Sequence, residues 1–296
     1  MSGMAGKTLR AWSWRPGARL KSGPAGRLGI VICACLAILA LCAPWLAPHD
    51  PNAIDLTLRL TPPLWMEGGD ARHVLGTDAL GRDLLSRLIH GARVSLAVGL
   101  AASCLAGTIG FVLGLLAGYF GGWLDRAVVL VVDVLLSVPM ILLMLVFASV
   151  LGQGMLSLVL VIGLTTWVTY ARVTRSEVMS LRERQFVLAG RALGAGSLRI
   201  VLTQVAPNAF ASFIVLATMG VAGTILAEAS LGFLGFGIGA GQVSWGGMLN
   251  DGRPYLATSW WLAVAPGIAI TVCVLGISWF GDLLRDAFDP RQQGSA

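Results

Sequence analysis

The sequence predicts an all-α polytopic membrane protein with six transmembrane helices. Three observations lead there. Of 296 residues, 56% are hydrophobic and 12% charged, whereas a soluble domain carries roughly 25% charged residues. The mean hydropathy is +0.79, and continuous apolar runs of about 18 or more residues recur along the chain. The 38 glycines would be costly in soluble helices but let membrane helices approach closely. A membrane β-barrel would instead show alternating segments of about 10 residues.

Residues 1–27 hold Lys7, Arg10, Arg15, Arg19, Lys21 and Arg27 and no acid, with Trp12 and Trp14 placed to lie at headgroups. They read as a cytoplasmic tail. The first apolar run, 28–47, is longer than a signal-peptide core of about 7–15 residues and lacks a clean cleavage site, so it reads as an uncleaved anchor. Residues 48–93 form a long extracytoplasmic loop. A core of five further spans covers 94–281, with runs at 94–117, 127–151, 155–173, 208–232 and 262–281, and residues 282–296 form a cytoplasmic tail. With the N-terminus inside, 15 Lys and Arg fall on the cytoplasmic side and six on the outside, the bias that sets orientation. Topology therefore explains the net charge of +6, and no nucleic-acid partner is expected. Trp45, Trp65, Trp245, Trp260 and Trp261 then gather near the outer interface as an aromatic belt.

In the outer loop, Leu80, Leu84, Leu85 and Leu88 fall on one face of a helix. Thr77 or Asp78 would cap its start, and Asp83 and Arg87 would pair at i,i+4. Such a helix lies on the surface before span two or closes a vestibule. His49, His73 and His90 are all on this side. Their spacing matches no compact ligand pattern, and no metal site is expected. Cys33, Cys35, Cys42, Cys104 and Cys273 all fall in apolar runs and suggest neither a disulfide framework nor a metal cluster.

Span two carries Gly107, Gly110, Gly114 and Gly118. This small-residue spacing permits a close helix crossing, within the chain or with a partner subunit. Pro139 and Pro266 should bend spans three and six. Asp133 and Glu228 are acids inside spans, and buried carboxylates are functional candidates. With no basic residue seen among the spans, they make a thin proton relay, and structural hydrogen bonding or a place along a translocation path fits better.

The connection Arg172–Pro207 carries six arginines against two glutamates. Ser180-Leu181-Arg182-Glu183 matches a capping box, predicting a helix from Leu181 to Gly194 or Gly196. A second helix would run from Leu198 to Ala206 and stop at Pro207. Ala189 and Gly190 give the first helix a flat patch open to close approach. Arg182, Arg184 and Arg191 would flank that patch and meet acids on a partner, or the stretch would rest on anionic membrane lipid.

These residues carry a resemblance. Leu188-Ala189-Gly190, followed by Gly194 and Pro207, resembles the EAA loop of ATP-binding cassette importer permeases. Ala189, Gly194 and Pro207 fit its pattern, whereas Leu188 stands where the pattern has glutamate. LGTDALGRDLLSRLIHGARVSL, LLAGYFGGWLD, EASLGFLGFG, SWGGMLNDGR and GDLLRDAFDP, in that order over roughly 74–290, are similar to the C-type permease subunit of dipeptide, oligopeptide and nickel importers. The resemblance implies a type I importer permease fold, a related second permease, two cytoplasmic ATPase subunits and an extracytoplasmic solute-binding protein. It places ATPase coupling on the segment 174–207, at Glu183, Arg184, Ala189, Gly190, Arg191, Gly194 and Pro207. The chain contains no GxxxxGK[ST] phosphate loop, so it is expected to be no enzyme and to hold no cofactor, ATP and Mg being bound by the ATPase subunits. Short peptides are the expected cargo, with nickel or another chelated metal as the alternative. An ion-driven carrier using Asp133 and Glu228 is the remote one.

Overall fold

The computed structural model describes residues 24–239 and 241–288, so the expectations for Trp12, Trp14 and the terminal tails beyond these bounds lie outside the described residues. Eleven α-helices follow in order: α1 (Pro24–Leu41), α2 (Ala43–Leu46), α3 (Leu84–Phe120), α4 (Gly122–Ser137), α5 (Met140–Leu151), α6 (Met155–Arg182), α7 (Gln185–Ala192), α8 (Ser197–Ile200), α9 (Ala206–Phe233), α10 (Trp245–Gly252) and α11 (Trp261–Phe288). A five-residue π turn over Val201–Val205 joins α8 to α9, making one continuous helix from Ser197 to Phe233. No strand occurs among the described residues, only an isolated bridge between Thr77 and Asp83. Among the described residues, five helices are long and apolar enough to cross a membrane, and six spans result if α4 and α5 count as one.

The surface helix expected before span two is instead the first turns of α3. Leu80 lies outside it, and neither Thr77 nor Asp78 is its cap. Asp83 is the cap, its Oδ2 accepting from Ser86 N at 2.7 Å. The predicted Asp83–Arg87 pair is absent for the same reason. A capping carboxylate folds back over the first turn, while the Arg87 guanidinium reaches Asp251 on α10 at 3.1 Å. Two successive glycines at positive φ, Gly121 at +65° and Gly122 at +66°, end α3 and turn the chain into α4.

The most extensive helix contact is between α3 and α6. Gly110, Gly114 and Gly118 recur at intervals of one turn and face α6. A methyl added at Gly114 would lie 2.6 Å from the carbonyl oxygen of Ala171 and 2.8 Å from Thr174 Cβ. One at Gly118 would lie 2.8 Å from the Arg175 carbonyl. The two backbones are therefore in contact, and the small-residue stripe serves this chain's own packing. Gly107 turns toward Phe213 of α9. Ser103 Oγ and Tyr170 Oη lie 3.0 Å apart across the same buried seam, and Thr224 Oγ1 of α9 donates to the Gly99 carbonyl at 2.8 Å. On the far side, α1 packs on α11, where Gly29 meets the backbone of Phe280 and Gly276 meets Ile32.

Span three is broken rather than bent. α4 and α5 meet at 93°. Pro139 has no N–H to continue a helix and forces Val138 to an extended ψ of 132°. Pro266 leaves α11 continuous. Much of the α4–α5 surface, including Leu130, Val134, Val146 and Val150, is exposed among the described residues.

The loop 47–83 and α10 make a cap over one end of the bundle. Asp78 accepts from Leu80 N at 2.8 Å, Arg82 N at 3.0 Å and Arg82 Nε at 2.6 Å. Trp245 is buried and donates its indole N–H to the Leu88 carbonyl at 2.9 Å. Trp261 is buried as well, so these two tryptophans belong to the core and not to the expected belt, while Trp45, Trp65 and Trp260 are exposed. The five cysteines are free thiols.

The α3–α6 contact gives a direct test. Gly114→Ala should lower the thermal midpoint of the purified chain, with a cost of about 1–3 kcal/mol for overpacking. Gly267→Ala, where an added methyl meets nothing within 4 Å, should leave the midpoint unchanged.

Candidate functional site

The arginine-rich connection is a folded surface built on the end of α6. That helix runs without interruption to Arg182, so Ser180 lies inside its last turns and the predicted capping box is not formed. Val178 and Leu181 are buried against Tyr119 and Val187, and this burial carries α6 past the expected boundary. Glu183 and Arg184 form the turn, with Arg184 N donating to the Leu181 carbonyl at 3.1 Å. Arg184, with extended backbone, is the residue before α7.

α7 docks one face on the bundle through Val187, which is fully buried. Gly190 is buried too, and a methyl there would meet the Gln204 side chain at 2.9 Å. The close approach expected of a partner at Gly190 is thus made by the chain itself. Ala189 faces outward, as do Phe186, Leu188 and, at 89% exposure, Leu193. Gly194 sits at φ +80° and closes α7 with paired bonds, Gly194 N to Arg191 O at 2.9 Å and Ala195 N to Gly190 O at 3.1 Å. That double closure is the Schellman arrangement, and the glycine occupies its left-handed position.

Pro207 does not stop a helix. It lies in the first turn of α9, directly after the π turn. A π turn spaces its bonds at i→i+5 and so loosens the ladder where proline removes a donor.

Most of the block's arginines are engaged within the chain. Arg172 reaches Asp133 at 3.1 Å, and Arg175 Nη2 donates to Asp125 at 2.8 Å. Arg182 bonds the carbonyls of Gly118 and Tyr119 at 3.3 and 3.4 Å, and Arg191 lies 5.3 Å over the Tyr119 ring. Arg182 therefore ties the end of α6 to α3, and Arg191 holds α7 against Tyr119, rather than either waiting for a partner. Arg184 and Arg199 make no ion pair among the described residues and remain exposed cations beside Leu193 and Leu198.

The two intramembrane acids are far from equivalent. Asp133 is exposed on α4 and paired with Arg172, a basic partner that the apolar runs alone did not suggest. Glu228 is fully buried where α9 meets α3 and α10. The hydroxyls of Ser95 and Ser244 face it, but neither carboxyl oxygen makes a well-aligned hydrogen bond. Ser95 already accepts from Trp245 N at 3.3 Å and Ser244 from Gly247 N at 3.2 Å. Glu228 is sealed from any open path in this conformation.

Residues 110–294 match the family described as binding-protein-dependent transport system inner membrane component. Residues 10–63 match the N-terminal transmembrane domain of oligopeptide transport permease C. The chain is 42% identical to the di/tripeptide transport system permease protein DppC of Pseudomonas aeruginosa, over 90% of this chain and 88% of that protein. It is also 42% identical to the nickel transport system permease protein NikC of Escherichia coli K12, over 89% and 93%. A probable D,D-dipeptide transport system permease protein, DdpC of Escherichia coli K12, is 36% identical over 93% and 90%. The inward-facing MetNI methionine ABC transporter superposes with a TM-score of 0.58 at 19% identity, over 70% of this chain and 98% of that one, a likeness of fold.

The Glu228 site makes a prediction. An unsatisfied buried carboxyl costs about 1–3 kcal/mol, so Glu228→Gln should leave the thermal midpoint equal to or above that of the natural chain, whereas Glu228→Ala should lower it by opening a cavity. Thermal unfolding of the two variants in one detergent decides the matter.

Proposed function

Because the chain belongs to the family of binding-protein-dependent inner-membrane transport components, we propose that it is one of two related permease subunits of an ATP-binding cassette importer that carries short peptides inward. The family is one of multi-pass membrane pore subunits. The reading of cargo rests on relatives named for di/tripeptides and dipeptides. A second reading, nickel or another chelated metal, is kept by the equally similar nickel permease.

One observation carries the coupling role. α7 stands at the tip of α6, fixed on its inner side by Val187, Gly190 and Arg191, and presents Phe186, Leu188 and Leu193 outward between the cations Arg184 and Arg199. Apolar side chains flanked by charge on a rigid helix suit insertion into a partner's groove. The proposed partners are two cytoplasmic ATPase subunits, one seated on α7, a related permease, and an extracytoplasmic binding protein meeting the outer loop. Glu183, Arg184, Ala189 and the Gly194 closure shape the docking surface, and Pro207 starts the helix that returns to the membrane.

The work of the chain is mechanical. Closure of the ATPases displaces α7. α6 runs unbroken from the turn before α7 into the membrane, and its contact with the α3 glycines makes α3 move with it. The motion reaches the cap at the other end of α3 as a rigid-body switch. The N-terminus and the C-terminus are placed in the cytoplasm on this reading, with α7. Asp133 pairs with Arg172, Glu228 is enclosed between α9, α3 and α10, and neither is assigned to a proton path.

Two measurements follow. In proteoliposomes carrying the assembled importer, Leu193→Asp should leave insertion intact and reduce dipeptide-stimulated ATP hydrolysis at least about tenfold, an energetic cost of roughly 1.4 kcal/mol or more at the docking step. Unchanged stimulation would remove α7 from the coupling role, and stimulation by a nickel chelate in place of dipeptides would reassign the cargo. In a cysteine-free background, Ser197→Cys should be labelled by an impermeant maleimide only from the cytoplasmic face of membrane vesicles. Labelling from the outer face would invert the topology.

A further inference from the structure

The fold gathers two of the three histidines, far apart in sequence, around one carboxylate. His73 Nδ1 lies 2.9 Å from Asp83 Oδ1, and His49 Nδ1 lies 3.8 Å from Asp83 Oδ2. The two imidazole rings stand 4.7 Å apart with 32° between their planes. One donor atom from each of the three residues lies within 4.8 Å of the other two. The Asp83 side chain is 2% exposed and that of His73 is 9%, while His49 keeps 38% of its side chain open to solvent.

We propose that His49, His73 and Asp83 form a binding site for a first-row divalent cation of the zinc and nickel class. Two imidazole nitrogens and one carboxylate oxygen are the donors such borderline ions take, whereas calcium and magnesium require oxygen throughout. Ligand atoms at about 2.0–2.1 Å from a tetrahedral ion stand about 3.4 Å from one another. The observed separations from Asp83 fall on either side of that value. The donors must draw together on binding, and His49, the most exposed of the three, is the one with room to move. A water would complete the tetrahedron.

Charge points the same way. Asp83 is a buried carboxylate, and among the described residues its ionic partners are these two imidazoles alone. Burying a carboxylate without a fixed cation is costly, and a bound divalent ion supplies the missing charge. The neighbouring groups orient the donors as outer partners of metal ligands do. Ser86 N donates to Asp83 Oδ2 at 2.7 Å, and Ser86 Oγ accepts from His49 N at 3.0 Å, so one serine holds two of the three ligands. His90, the remaining histidine, has its Nδ1 3.0 Å from the Ser86 carbonyl and stays outside the donor set. The ion would join three separate segments: the chain leaving α2, the loop at His73 and the start of α3. It would act as a clamp on the cap, independent of which solute the protein carries.

The test uses the full-length chain in lipid nanodiscs, stripped with chelator and titrated with zinc sulfate by calorimetry. The natural chain should bind about one zinc. His49→Ala removes an exposed ligand and leaves the Asp83 cap intact. Asp83→Asn keeps a capping oxygen, asparagine serving as well as aspartate at that position, while removing the anionic ligand. Both should weaken zinc at least tenfold while the zinc-free thermal midpoint stays within a few degrees of the natural chain. Cobalt added in place of zinc should give the visible absorption of a tetrahedral site in the natural chain and not in His49→Ala. Absence of zinc binding at micromolar concentrations, or equal affinity in the natural chain and both variants, overturns the proposal.

Discussion

Backbone contact between α3 and α6 is the constraint on which the rest depends. Three glycines on one face of α3 let the two longest single helices of the early chain touch without intervening side chains. In lipid no hydrophobic force draws helices together, so close packing of this kind is what holds them. The consequence is mechanical as much as energetic. Two helices in backbone contact cannot slide by the width of a side chain, so α3 and α6 move as one piece. α6 ends beneath α7, and α3 begins at the Asp83 cap. The seam therefore ties the two surfaces where partners are proposed to meet the chain.

Each end of this pair is finished by electrostatics. At the α7 end, Arg182 satisfies the last carbonyls of α3 and Arg191 lies over Tyr119, so α7 has a fixed attitude. At the other end, Arg82 and Arg87 join Asp78 to Asp251 and bring the loop and α10 against the start of α3. Arg87 is nearly enclosed, and enclosed pairs of this sort specify one arrangement more than they add stability. Both ends use arginine, whose planar fork reaches several acceptors at once.

Much of this was legible in the sequence and some was not. Apolar length marks the spans because the bilayer demands it, and glycine spacing marked the seam because only small residues allow it. The sequence could not say which helix Gly114 meets, since that depends on the crossing with α6. The capping box at Ser180 misled for a related reason. A four-residue pattern is local, while Val178 and Leu181 find tertiary partners that extend α6 through it. Pro139 and Pro207 show the same ambiguity from opposite sides. One, inside an apolar run, breaks its span at 93°, and the other, at the edge of a run, is absorbed by a π turn. Of the residues proposed for coupling, Gly194 is readable as a helix stop because left-handed backbone selects glycine. Gly190 was not readable as an inward residue, because nothing local announces Gln204. The gathering of His49 and His73 on Asp83 was invisible to spacing, since a folded loop brings them together.

The π turn before Pro207 also has a consequence for how such a protein can diversify. An α-helix advances about 100° per residue, so a helix that takes up one extra residue in a single wide turn carries a stored phase shift. Losing that residue would return the segment to regular winding and rotate Arg199 and Leu202 by about that angle relative to the membrane faces of α9. The surface preceding α9 is then turned without altering any side chain in the lipid-spanning part. A single inserted residue thus separates two design problems that a regular helix would lock together, fitting the bilayer and aiming the surface beyond it.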